Sequence, residues 1–578
     1  MTRPSTRSAL WLVLAAAARH PPALPAQVPE DPAAAMERAA AGAESSLREG
    51  NLEAAGAHYR AALLEAWMLR GALAAADGKG TEAREAFREA SLLLAAAVER
   101  DPRDLVARRR LAQAQVAAGD AEEAARTLEA GRAAAPDDLE LLYALGAAYL
   151  RVGKAEAAAP LFAELARHRP LPQTHVLIGR TYRDAGQYAR ARAELEAALA
   201  QDPRARRAHY YLGMVTLAES GTARLDQAIA EFRAELALEP GDPLANLQLG
   251  MALAEERRCA EALGPLEAAA AATPPQGLTL YYLGRCQLAL ERPAEACSSL
   301  GAAADMARAR KADPAIVRAI LVQLGPALRG AGRKQEADAV FAELARLSAR
   351  GAETERETMA RYLADVPDPE AAGMPGVPLA EASRFAGLPA GERAALAARV
   401  TPVLARAYLN LGIMQAHGER FAEATALLEK AAALAPDFPG LQRSLGVAYF
   451  NAKAFDRAAP TLRRALAEGA ADADVRRMLV LALLNTDAFD EAAGLLRSDP
   501  RLVQDPALQL ACGLALMRGG RPADAVEHLA AAARLAPGDG NVRYALGRAY
   551  QALGRTEEAE REFEVVRRLA GEGRPDPP

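Results

Sequence analysis

The chain has 578 residues, too long for one ordinary core, yet its composition is even throughout, with 51% hydrophobic, 25% charged and only 5% aromatic residues. Its 70 basic and 75 acidic residues give a formal net charge of -5, so there is no cationic excess for a phosphate backbone and nucleic acid is excluded as an expected partner. An Ala-, Leu- and Arg-rich makeup of this kind favours helix along the whole length.

The first residues set Arg3 and Arg7 ahead of an apolar run from Ala9 to Ala18, followed by small residues. That is the pattern of a secretory signal peptide over 1–26, cleaved after Ala18 or Ala26. No cysteine stands near either point to carry a lipid, and no later apolar run is long enough to span a bilayer. The expected mature protein is periplasmic or secreted and has no membrane span. The alternatives are a cytoplasmic chain with an Ala-rich N-terminus and an uncleaved anchor.

Residues 27–104 read as degenerate helical hairpins. Ala43, Gly50, Ala55 and Tyr59, then Gly71, Gly78, Ala83 and Phe87, repeat one spacing. The unit behind that spacing is clearest at 172–205. Val176, Ile178, Gly179 and Tyr182 mark one helix face, Tyr188, Ala191, Leu195 and Ala198 a second, and Gly186 and Asp202-Pro203 end the two helices. Gly179 and Ala191 are the smallest residues on the facing surfaces, so the helix axes can approach closely.

The position of Gly179 is filled in turn by Ala112, Gly146, Gly179, Gly213, Gly250 and Gly284, in steps of 34, 33, 34, 37 and 34, and then by Gly325. This defines a first array over 105–349, with three extra residues in the turn before Ala228. Residues 350–404 break the period with a Pro/Gly-containing insertion, expected to hold short helices near 353–364 and 390–404. A second array over 405–570 resumes at Gly412, Gly446, Val480, Gly513 and Gly547, and a polar tail over 571–578 is expected to be disordered.

Signals for chemistry are few. GxSxG, HExxH and GxxxxGK[ST] are absent, and Gly78-Lys79-Gly80-Thr81 lacks the strand and upstream glycine of a phosphate loop. The four cysteines form no CxxC. Cys286 and Cys297 lie on two helices of one hairpin and could pair, but small apolar packing is the commoner use. His175 and His209 fall in equivalent places of adjacent hairpins, about 8–10 Å apart by helix packing, too far for one metal. Acidic residues mostly sit three or four positions from an arginine, as on a solvated face. No catalytic residue, metal or cofactor is expected.

The 34-residue helix–turn–helix period and copies such as YALGAAYLRVGKAEAAAPLFAELARHRP and YALGRAYQALGRTEEAEREFEVVRRLA resemble the tetratricopeptide repeat family over most of the chain. The family's Trp near the start of the first helix is replaced by residues that include Leu142, His175, His209, Asn246 and Tyr408. The resemblance implies an all-α, right-handed α-solenoid with a concave wall built from the first helices, split into two arrays by the irregular insertion.

On that wall it places Tyr143, Arg180, Arg183, Tyr210, Met214, Leu247, Met251, Tyr281 and Arg285 as a peptide-binding groove, and in the second array Leu409, Ile413, Val447, Phe450, Leu481, Leu484, Leu514 and Met517. The implied partners are proteins or peptides with apolar anchors and some acidic residues, and a homo-oligomer is left open. The expected function is an exported, non-enzymatic scaffold in a bacterial envelope assembly. Alternatives are an accessory or regulatory subunit of an envelope enzyme, for example in polysaccharide synthesis or export, and a cytosolic adaptor.

Overall fold

The computed structural model describes residues 32–271, 277–309, 314–348, 385, 388–469 and 473–572. The expected signal segment, the helix near 353–364 and residues 573–578 of the tail lie outside them. Among the described residues there are 28 α-helices and no strand, so the all-α repeat fold is as expected.

Most of the hairpins close around one small residue, with Val480 in its place on Ala473–Asn485. An added Cβ on Gly179 would lie 2.8 Å from Leu195 Cγ and 3.1 Å from the Ala191 carbonyl oxygen. Sixteen residues separate this pair, and the same relation holds for Gly146 and Phe162, Gly284 and Leu300, Gly412 and Leu428, and Gly513 and Leu529. The large residue of the second helix therefore rests on backbone, which brings the axes together and buries Phe162, Leu195 and Leu300.

First helices start with matching chemistry. Asp138, Asp242, Asp505 and Asp539 each stand eight residues before the small residue, and each accepts hydrogen bonds from two backbone N–H groups of the first turn. Such caps typically contribute about 1 kcal/mol each. The three extra residues before Ala228 are taken up by a single 3-10 turn at Gly221–Arg224.

The described chain divides into two compact units, one over 67–397 and the other over 32–66 with 398–572. The divisions fall inside the helices Leu52–Ala76 and Ala390–His417. The helix expected near 390–404 thus runs on without a break, through Pro402, into the first helix of the next repeat. In the first unit one apolar core passes from hairpin to hairpin between Ala112 and Ala337.

Residues 32–66 share the period of the hairpins that follow them, but they pack at the start of the second unit. Glu37 pairs with Arg399 and Glu44 with Arg406, and Asn410 Nδ2 donates to Tyr59 Oη at 2.7 Å. Because 37 and 44 meet 399 and 406 in the same order, the two helices run parallel. Tyr59 is buried, and a cavity of about 90 Å³ lies beside it, lined by Ala40, Ala62, Pro402, Val403 and Ala407.

Candidate functional site

In the first unit the helix Pro243–Glu255 is buried on every side, from Leu244 through Ala254. A helix with no polar face is one enclosed by its neighbours. Of the residues the resemblance placed in a groove, Tyr143, Arg180, Tyr210, Leu247, Met251 and Tyr281 are all buried. These six side chains pack within and between hairpins and do not stand free.

Tyr143 Oη lies 2.9 Å from Thr181 Oγ1 on the helix Pro172–Asp184, and Tyr210 and Tyr281 make edge contacts with Tyr211 and Tyr282. Desolvation raises the Tyr143 phenol above its ordinary range, which suits a neutral hydrogen-bonding group. Arg183, Met214 and Arg285 remain partly accessible. Arg183 stacks over the Tyr211 ring at 4.8 Å, and Arg285 donates to Glu255 at 2.8 Å.

Three of the histidines bridge the two helices of a hairpin. His175 Nδ1 donates to Glu194 and His209 Nδ1 to Glu231, both at 2.7 Å and both from the first helix of a hairpin to its second. His528 Nδ1 donates to Gln509 at 2.8 Å with the roles of the two helices exchanged. The position where the family has Trp therefore carries a polar cross-link in these copies.

All four cysteines are free and buried. Burial, then the neighbouring Cys259 thiol, pushes the Cys286 thiol up, so Cys259 and not Cys297 is its sulfur neighbour. Among the described residues no three His, Cys, Asp or Glu side chains gather where an ion could sit, and no helix is long and apolar enough to cross a membrane. A depression of about 20 Å³ between Arg109 and Arg151 has room for about one water.

A buried charge chain sits where the repeat length changes. Arg207 takes a left-handed conformation, φ 70°, and its guanidinium lies 3.0 Å from Asp242. Glu235, fully buried, accepts from the backbone N–H of Arg207 at 2.8 Å and of Tyr210 at 3.2 Å, so it caps the helix Ala208–Ser220 from the neighbouring helix. Desolvation raises the Glu235 carboxyl above the usual range, against those two hydrogen bonds. The sequence signal was the run Arg204–Arg207 ahead of a helix that lacks an Asp cap.

In the second unit the first helices adjoin in the order Leu441–Asn451, Ala473–Asn485, Pro506–Arg518 and Gly540–Ala552. Ile413, Val447, Phe450, Leu481 and Met517 are partly accessible, while Leu409 and Leu484 are buried. Leu514 is 45% exposed and Tyr544 52%.

Two family models, both described as tetratricopeptide repeat, match residues 74–149 and 516–574, and 176–243, 217–277 and 443–500. No curated protein matches the chain. Among solved structures, MamA AMB-1 is 28% identical over 30% of this chain and 94% of its own, with a TM-score of 0.26. A structure titled for pilF of Pseudomonas aeruginosa is 18% identical over 35% and 91%, with a TM-score of 0.29. A tetratricopeptide repeat protein from Parabacteroides merdae is 14% identical over 51% and 99%, with a TM-score of 0.30. The period, the hairpin packing and the family models together make this chain a member of the tetratricopeptide repeat family.

Proposed function

We propose that the chain is an exported scaffold that gathers partner proteins in a bacterial envelope, through the walls formed by its first helices. Repeats of this family imply a protein-interaction scaffold, and the reading of export comes from Arg3, Arg7 and the apolar run that follows them. The observation that carries the binding role is the row of adjoining first helices. It repeats one presented surface many times along the chain.

In the first unit the accessible members of the expected groove are Arg183, Met214 and Arg285. Two compact units on one chain also allow a ligand that reaches both to gain avidity.

The test is an affinity pull-down of the tagged full chain from fractionated, crosslinked cells, beside a variant carrying Arg183→Ala, Met214→Ala and Arg285→Ala. Recovery in the envelope fraction with partners that the variant loses is the expected result. Partners retained unchanged would remove this surface from the account. A chain that keeps its first 26 residues and stays in the cytosol would remove export.

A further inference from the structure

The second unit presents a surface whose residues specify what covers it. Leu510, Leu514 and Met517 follow at i, i+4 and i+7 along Pro506–Arg518 and so share one face. On the adjoining first helices Leu481 of Ala473–Asn485 holds the repeat position of Leu514, and Tyr544 of Gly540–Ala552 that of Leu510. Leu514 and Tyr544 are two of the seven large apolar side chains left exposed among the described residues, and they fall on neighbouring helices. Apolar side chains grouped this way on a soluble surface mark a contact site.

The two helices that carry Leu514 and Tyr544 have charge of one sign. Pro506–Arg518 and Gly540–Ala552 contain no carboxylate, whereas Arg518, Arg543 and Arg548 lie on them. Arg543 is taken by Glu562 at 3.0 Å, and on the next helix Arg477 lies 3.2 Å from Asp505. Arg518 and Arg548 are exposed and have no ion-pair or hydrogen-bond partner among the described residues. This contrasts with a formal net charge of -5 for the chain, and with Arg463 and Arg521 of the same unit, which are paired with Glu491 and Asp490.

We infer that this face docks an acidic amphipathic segment of a partner protein, its apolar side chains on Leu514, Met517 and Tyr544 and its carboxylates on Arg518 and Arg548. The inference rests on the scaffold reading and names the chemistry of one partner. Unpaired guanidiniums beside exposed apolar groups supply both halves of such recognition: anchors for affinity, and charge for orientation and rate. An anionic lipid surface has the same two chemistries, but two free cations attract it too weakly for stable attachment without a larger apolar insertion.

The test is selection of a random peptide library on the immobilised full chain, in parallel with a Leu514→Ser/Tyr544→Ser variant and an Arg518→Glu/Arg548→Glu variant. Circular dichroism melts show that each variant is folded. Enriched peptides are expected to combine Asp or Glu with Leu, Phe or Trp, and to lose at least tenfold in enrichment on either variant. On the arginine variant, Lys-bearing peptides should take their place.

Peptides that are not acidic, or that enrich equally on all three proteins, overturn the docking face but leave a binding scaffold. No enrichment over blank beads overturns the scaffold reading as well. Binding to phosphatidylglycerol vesicles that both variants lose, with no peptide enriched, would assign the face to lipid instead.

Discussion

At the scale of single residues, one position separates what the repeat needs from what the sequence supplies. Seven residues after the small helix residue the backbone is left-handed in the repeats of Gly146, Gly179, Gly284, Gly325 and Gly446, but not in that of Gly213, where Ser220 stands at φ -122°. Gly153, Gly186 and Gly332 fill the position in some copies, and Glu291 at φ 59° and Lys453 at φ 60° in others. A side chain in that conformation costs about 1 kcal/mol relative to glycine, partly offset by glycine's greater freedom in the unfolded chain. Glu291→Gly and Lys453→Gly should therefore each stabilise by about 0.5 kcal/mol, and Gly186→Ala should destabilise by about 1 kcal/mol, read as shifts in urea midpoint.

His528 gives a second residue-scale expectation. Burial holds its imidazole below the ordinary value, with Glu527 and Asp524 opposing and Arg497 reinforcing. The unfolded chain therefore binds the proton more readily than the folded one. The stability is fully present above the unfolded pKa, about 6.5, and is lost as pH falls below it towards the lower folded value. Thermal melts should show the second unit weakening between about pH 7 and pH 5. A His528→Gln variant, whose amide can still donate to Gln509, should show a smaller acid-induced fall. An equal fall in both would place the effect elsewhere.

Among elements, the hairpin at 32–66 shows where local periodicity stops being informative. Its small and aromatic residues were legible, because Ala43, Ala55 and Tyr59 keep the common spacing and are buried as that spacing requires. Its place was not legible, because it pairs with residues more than 350 positions away and no local period records a partner at that distance.

Its rim contacts, Glu37 with Arg399 and Glu44 with Arg406, are about half exposed, so each contributes between about 0 and 1 kcal/mol. Placing like charges there should still loosen the hairpin. Glu37→Arg/Glu44→Arg is expected to speed amide hydrogen exchange across 32–48, and adding Arg399→Glu/Arg406→Glu should restore protection. Protection that does not return in the fourfold variant would show that the ion pairs do not hold this element.

For the molecule as a whole, the fold was legible because each hairpin meets mainly its neighbours, so a 34-residue period in sequence is a period in space. Gly179 with Leu195 and Gly513 with Leu529 could be paired from spacing alone. The candidate surface was legible only in register. Tyr210 and Tyr544 hold the same position of their repeats, yet the first is buried and the second 52% exposed. What differs is the surroundings. Tyr210 packs against Tyr211 and Phe232 within a continuous core, while Tyr544 lies on the last first helix, beside Phe563. Burial of that kind is decided by neighbouring hairpins and cannot be read from one repeat. Leu247 and Met251, expected in the groove, are likewise buried, within a run from Leu244 to Ala254 that has no charged residue.

The claim that this chain works by holding other proteins on its first helices is tested most directly by site-specific photocrosslinking in living cells. A photoreactive amino acid would replace Met214, Leu514 or Tyr544 on first helices, and in control chains the exposed second-helix residues Ala163 or Ala523. The account predicts discrete adducts with other polypeptides from the first-helix positions and none from the controls. Adducts of equal yield from both sets, or none from either, would contradict it.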